Sequence, residues 1–231
     1  MAIEYKSHIR TSSATGSKID FFTCPAGKTA VFKTIIMYNN DTNNNAQTTY
    51  LLDHSNDTSN SYALGDPDGY TITSGNNVTW TVPVVLEEND MIKFQNDQDS
   101  QFYYGSYVLM DNAGNTRFKH VTKKITSEDS YSTIYTCPAG SRAILKYWQI
   151  TNAHGSNNAT GNILAYVDAS TDPDTFVYLS FGTINSSAIA YDGSRTYNFN
   201  AGDSLQIYNT EQPFIITAFF MEMPVPQIRG Q

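Results

Sequence analysis

The sequence predicts an all-β protein made of two tandem β-sandwich domains, jelly-roll or Ig-like, generated by an internal repeat of offset 113. Three observations carry that expectation. First, Thr23-Cys24-Pro25-Ala26-Gly27 returns as Thr136-Cys137-Pro138-Ala139-Gly140. Second, the 231 residues include 16 Tyr and 12 Phe, with abundant Thr and Val. Such side chains suit a half-buried pleated surface. Third, short branched or aromatic runs alternate with turn residues, and no stretch keeps a helical period over three turns.

The repeat sets the organisation, because self-similarity at a fixed spacing marks a repeated unit. Without a gap, the same offset aligns Ala30 with Ala143, Lys33 with Lys146, Asn39 with Asn152, and Asn44-Asn45-Ala46 with Asn157-Asn158-Ala159. It also aligns Leu51 with Leu164, Gly69 with Gly182, Asp90 with Asp203 and Asn96 with Asn209. Tyr5-Lys6 falls on Phe118-Lys119. The expected domains are 1–113, with an N-terminal arm, and 114–231, with an extended C-terminal tail. They divide within the small, polar stretch from Asp111 to Asn115.

In the first copy, strands are expected at Lys18 to Thr23, Ala30 to Tyr38, Thr48 to Leu52, Val78 to Val85, Met91 to Gln95 and Phe102 to Met110. The second copy repeats them at Ala143 to Ile150, Asn162 to Val167, Phe176 to Leu179, Arg195 to Phe199, Ser204 to Tyr208 and Phe214 to Met221. Pro and Gly set the turn after each Cys. Thr58 to Asn77 reads as long loops. Met1 to Ser17 is polar and without strong periodicity, and Met223 to Gln231 alternates Pro, which a sheet interior does not accept. Both ends are expected to be arms.

Charged residues make up only 16%, against roughly 25% in ordinary domains, and the net charge is -8. A nucleic-acid binder needs excess positive charge to displace counterions; the short basic cluster Arg117 to Lys124 does not supply it. No apolar run approaches the roughly 18 residues that span a bilayer, and Met1 to Arg10 carries no signal-peptide core. The expectation is a soluble protein made in a cytoplasm, with neither nucleic acid nor membrane as partner.

The motifs resemble a common module of tailed-phage virion proteins. In that module a strand enters a Pro-Ala-Gly turn, an apolar strand ends in Asn, and a Gly-Asp-x-Leu turn precedes the last hairpin. Here these are Thr23-Cys24-Pro25-Ala26-Gly27, then Tyr38-Asn39-Asn40, then Glu88-Asn89-Asp90-Met91. The second copy has Tyr135-Thr136-Cys137-Pro138-Ala139-Gly140 and Asn200-Ala201-Gly202-Asp203-Ser204-Leu205. Asn89 stands where Gly is usual; Asn tolerates the left-handed conformation. The resemblance spans nearly the whole chain. It implies a non-enzymatic structural component of a phage particle, located in the virion. Tail or neck association with other virion proteins is preferred, with capsid decoration or cement as one alternative. A carbohydrate-binding or adhesin-like module, with a glycan as partner, is the other.

Candidate chemistry is sparse. Cys24 and Cys137 sit at equivalent positions and read as buried thiols rather than a bridge, which requires Cα atoms within about 7 Å. His8, His54, His120 and His154 have no metal-ligand spacing. His54 lies near Asp53 and Asp57, but no nucleophile motif accompanies it. Asp66-Pro67-Asp68-Gly69 and Asp172-Pro173-Asp174 could crowd carboxylates around a cation, yet they also read as ordinary turns. No cofactor, metal or catalytic set is expected. The candidate functional residues are interfacial. Phe102, Tyr104 and Ser106 share one strand face, and Tyr103, Gly105 and Tyr107 the other. The expected interface residues are Tyr103, Tyr104 and Tyr107, with Phe214, Ile216 and Phe219 in the second copy. The run from Phe214 to Phe220 is apolar on both faces, as in a strand buried on both. It is therefore expected to pack against a neighbour, either the first domain or another subunit of a homo-oligomer. A Phe219→Asp substitution is expected to abolish assembly or folding, measured by solubility and oligomer mass; a soluble, normally assembled variant would refute the buried-face reading.

Overall fold

The computed structural model describes residues 3–12, 16–54, 57–64, 69–81, 83–112, 117–154, 156–166 and 176–225. The described structure is all-β, and every strand pair is antiparallel. The chain divides into two compact units, Met1–Ala113 and Gly114–Gln231.

The first unit contains β1 (Ile3–Ser12), β2 (Lys18–Thr23), β3 (Lys28–Asn39), β4 (Ala46–His54), β5 (Asp57–Ala63), β6 (Tyr70–Ile72), β7 (Asn77–Trp80), β8 (Val84–Leu86), β9 (Met91–Asn96) and β10 (Gln101–Asp111). One sheet runs β1-β10-β3-β7, with β8 also on β3; the other runs β2-β9-β4-β5, with β6 also on β4. The second unit contains β11 (Arg117–Ile125), β12 (Ser130–Thr136), β13 (Ser141–Asn152), β14 (Ala159–Tyr166), β15 (Phe176–Ile184), β16 (Ile189–Asp192), β17 (Tyr197–Phe199), β18 (Ser204–Asn209) and β19 (Phe214–Pro224). Its sheets run β11-β19-β13-β16, with β17 on β13, and β12-β18-β14-β15.

The repeat is reproduced rung by rung. The β10–β3 ladder runs from Gln101↔Asn39 to Asp111↔Lys28, and the β19–β13 ladder from Phe214↔Asn152 to Pro224↔Ser141. Raising each number by 113 converts one into the other. Even the irregularities recur. Lys33 is skipped between Thr34 and Phe32, as Lys146 is between Tyr147 and Leu145. Phe21 is skipped on β2, as Ile134 is on β12. A bulge places an extra residue opposite one partner and bends the strand. Each bulged Lys is exposed, whereas Phe21 and Ile134 are buried.

Several expectations are corrected. The N-terminal segment is a strand of the sheet, because Ile3, Tyr5, Ile9 alternate with Glu4, Lys6, Arg10 at the period of two that a pleat requires. The basic cluster after Arg117 is its counterpart, β11. The stretch read as loops holds β5 and β6. Val78 to Val85 is two strands, β7 and β8, separated before Val84. At the C-terminal end β19 continues to Pro224, on the last rung opposite Ser141, where a missing donor costs least. Gly69 and Gly182 are not equivalent. Tyr70 lies opposite Thr48 and Gly182 opposite Gly161, so Tyr70 is the counterpart of Gly182 and the offset slips by one residue there.

In the first unit, rings from the two sheets meet. Tyr103 of β10 stacks on Phe94 of β9 at 4.0 Å and 8°, and Phe32 of β3 packs beside Phe21 of β2 at 6.1 Å. In the second unit Tyr135 of β12 stacks on Phe220 of β19 at 4.0 Å, within a cluster that includes Leu145, Ile150, Leu205, Ile207, Phe214 and Ile216. Between the rings of the first unit lies Gly105, where a Cβ would come within 2.6 Å of Phe32 and 3.0 Å of Phe21. Neither ring can withdraw from a packed core. Gly105→Ala is therefore expected to cost about 1–3 kcal/mol of stability, read as a lower denaturant midpoint; an unchanged midpoint would show the rings free to shift.

Candidate functional site

The residues that carry the repeat converge on one construction, present in both units. The turn after β2 exchanges backbone hydrogen bonds with the turn before β9. Cys24 N–H donates to Asp90 O at 2.9 Å, and Asn89 N–H donates to Cys24 O at 2.9 Å. The Asp90 carboxylate, 1% exposed, accepts the Glu87 N–H at 2.6 Å. In the second unit Cys137 and Asp203 pair at 2.8 Å, Gly202 N–H returns to Cys137 O at 3.0 Å, and Asp203 accepts the Asn200 N–H at 2.7 Å. Asn89 has φ 65° and Gly202 φ 90°, so Asn does take the left-handed turn position.

Two buried Asn pairs complete the scaffold. Asn39 Nδ2 donates to the carbonyls of Asn44 and Ile72 at 2.9 and 3.0 Å, and Asn152 does the same to Asn157 and Ile184 at 2.9 and 3.1 Å. Asn96 holds the Gln98 carbonyl, as Asn209 holds that of Glu211 at 2.7 Å. Both cysteines are buried free thiols. Burial pushes the Cys24 thiol up to about 12, and it raises that of Cys137 as well.

Of the six expected interface residues, Tyr103, Tyr107, Phe214, Ile216 and Phe219 are buried, and Tyr104 lies at the surface. Tyr107 stacks on Phe32 at 4.7 Å. Phe219 lies outside the second unit's core cluster, stacked on Tyr147 at 5.4 Å with His120 edge-on at 6.2 Å. Asp66, Pro67 and Asp68 of the first acidic turn, the whole of the second, Asp172-Pro173-Asp174, and the side chain of His54 lie outside the described residues. Among the described residues no group of His, Cys, Asp and Glu is arranged to hold a metal ion. His154 supports a turn, its Nδ1 accepting the N–H of Asn157 at 3.0 Å and of Ser156 at 3.2 Å.

Tyr104 belongs to a larger surface that the sequence reading missed. On the outward side of the first unit's sheet, Ile9, Tyr104 and Ile36 form one cross-strand row, and Thr11, Phe102 and Tyr38 the next. Tyr5 is 83% exposed, Ile9 65%, Phe102 39% and Tyr104 36%. These side chains leave apolar area exposed on adjoining strands of one sheet face. The signal was available in the alternation from Ile3 to Thr11. In the second unit the row matching Ile9, Tyr104 and Ile36 is polar, Thr122, Thr217 and Gln149, while the next keeps Ile215 between Lys124 and Thr151; Thr122 and Thr217 share a hydrogen bond at 3.0 Å, and Gln149 donates to Thr151 at 3.1 Å.

One titratable cluster lies in the second unit. A groove of about 370 Å³ is lined by Arg117, Lys119, Ser141 and Glu222, among others. Tyr135 Oη donates to Glu222 Oε1 at 2.7 Å, and Lys119 Nζ lies 3.8 Å from the same oxygen. Burial and the adjacent carboxylate hold the Tyr135 phenol well above its ordinary value. The corresponding positions of the first unit hold an ion cluster, with Lys28 paired to both Asp111 and Glu4.

No family model and no curated protein matches the sequence. Solved structures match it weakly along nearly its whole length. The major capsid protein P2 of bacteriophage PM2 is 12% identical over 99% of this chain and 100% of that one, with a TM-score of 0.37. PBSX exported protein XepA is 11% identical over 94% and 86%, with a TM-score of 0.31. PNGase F, a glycosylasparaginase from Flavobacterium meningosepticum, is 9% identical over 97% and 96%, with a TM-score of 0.38. The last corrects the expectation that the chain is not an enzyme: an enzyme stands among the structures that match it. At that identity and score the likeness assigns no reaction to this chain.

The raised thiol values have a testable consequence. Cys24 stays protonated in the folded chain up to about pH 12, whereas an unfolded thiol ionises near 9. The thiol's contribution to stability is therefore constant below pH 9 and falls as pH rises above it, because only the unfolded state gains by ionising this group. At pH 8 a thiol-specific reagent is expected to label both cysteines slowly in the native chain and rapidly in denaturant; fast native labelling would contradict the burial.

Proposed function

We propose that this protein is a structural component of a phage particle, built from two tandem β-sandwich domains, 1–113 and 114–231. It sits in the virion, in association with the tail or neck, and assembles with other virion proteins and with copies of itself. The observation that carries the reading is the paired turn. The Pro-Ala-Gly turn and the Asn-Asp or Gly-Asp turn, whose sequences resemble the virion module, are joined by the same reciprocal hydrogen bonds in both copies. The sandwich reading rests on the inward rings of the two sheets that meet in each unit. The exposed apolar rows around Tyr104 supply a surface suited to assembly.

Particle components act through many weak contacts multiplied by symmetry. The purified chain is therefore expected to form a discrete closed oligomer, seen as one mass in light scattering coupled to size-exclusion chromatography and as uniform symmetric particles in negative stain. A chain that stays monomeric at all concentrations and binds an oligosaccharide in a glycan screen would replace this reading with the carbohydrate-binding one.

A further inference from the structure

We infer that β1 is a self-pairing edge: two copies of the chain join by antiparallel pairing of their β1 strands about Ser7. This goes beyond the proposed role and stands whether or not the chain belongs to a particle.

Among the described residues β1 is bound on one side only. Its ten residues pair with β10 without a break, from Ile3↔Met110 to Ser12↔Gln101, and it terminates the sheet path. Most of its residues are exposed. Edges of soluble proteins are usually kept short, bulged or interrupted by Pro, because a long regular edge is a template for another strand. β1 has no Pro and no bulge.

The sequence of β1 names its partner. Antiparallel pairing centred on Ser7 places Glu4 opposite Arg10 of the second copy, Tyr5 opposite Ile9 and Ile3 opposite Thr11, each twice by symmetry. Opposite charges and aromatic–branched pairs are the cross-strand combinations that stabilise a sheet. Arg10 is exposed and has no ionic partner among the described residues, whereas Glu4 is shared between Lys6 at 2.8 Å and Lys28 at 3.8 Å. Ile3, Tyr5, Ile9 and Thr11 lie on the same face as Phe102 and Tyr104, the pleat period being two. The pairing would therefore merge two open apolar faces into one continuous sheet surface. A two-fold contact of this kind uses the same patch on both copies.

The register makes the test specific. Directly opposed residues of an antiparallel pair lie about 4.5–5.5 Å apart at Cα, within the range a disulfide bridges. The full chain carrying Ser7→Cys is expected to form a covalent dimer under mild oxidation, read on a non-reducing gel. Its own cysteines, 0% and 1% exposed, do not compete. Thr11→Cys alone should not cross-link, since two copies of residue 11 would lie roughly 27 Å apart at about 3.4 Å per residue. A mixture of Ile3→Cys and Thr11→Cys chains should cross-link to each other. Arg10→Glu, with folding verified by circular dichroism, should weaken dimerisation at least about tenfold. Ser7→Cys chains that stay single, or Thr11→Cys chains that cross-link as readily, would overturn the pairing. If closed oligomers form while the Ser7→Cys chains stay single, the pairing falls and the structural role remains.

Discussion

The fold of each unit hangs on a short exchange of hydrogen bonds between two turns. β2 and β9 belong to one sheet, and β3 and β8 to the other. The turn leaving β2 and the turn entering β9 are clasped by Cys24 and Asp90, so both sheets are fixed at one point. Burying the Asp90 carboxylate costs free energy, which its hydrogen bond to the Glu87 N–H offsets. The same device at Cys137 and Asp203 anchors the second unit. Turn geometry, rather than core composition, is what the two copies hold in common: the inward Phe22 of one is Tyr135 in the other, and Gly105 is Ala218.

That explains which parts of the fold were legible. Residues with a fixed backbone or hydrogen-bonding duty, such as Asn39, Asp90, Asn96 and Lys33, kept their identity and revealed the repeat. The strands β3, β9 and β10 followed directly, though not their pairing. β1 and β11 were obscured because charged residues interrupt the apolar alternation, Glu4, Lys6 and Arg10 in the one and Arg117, Lys119, Lys123 and Lys124 in the other. β5 and β6 were obscured by turn residues, and the one-residue slip at Gly69 reflects loops of different length. Tyr103 and Tyr107 show the limit of reading a single strand. Periodicity separated the two faces of β10 correctly but could not say which face met the core, a matter settled by Phe94 and Phe32.

The two copies differ on the outer face of the sheet that contains β10 or β19. In the first, the Ile9, Tyr104 and Ile36 row is apolar and open. In the second, Thr122, Thr217 and Gln149 replace it, while Tyr147 and Phe219 stack beside His120. Gly193 comes so close to Tyr147 that a Cβ would lie 3.0 Å from the ring. One backbone plan therefore leaves an open apolar row in one copy, and in the other a row whose Thr217 and Gln149 are buried and hydrogen-bonded. The groove at Glu222 and the ion cluster at Lys28 show the same divergence at the far end of these strands.

The identical registers of the β1–β10 and β11–β19 ladders also bear on how the chain folds. As backbone, the two ladders are interchangeable, and during folding β1 meets two acceptable partners. Tandem units with such similarity are prone to exchange strands and become trapped. Discrimination must then come from side chains alone. His8, edge-on to Phe21 and Phe22 in the native unit, would meet Ile134 and Tyr135 in the wrong one. The divergence between the copies thus acts as a sorting code, and a chain whose copies were made more alike would fold less faithfully.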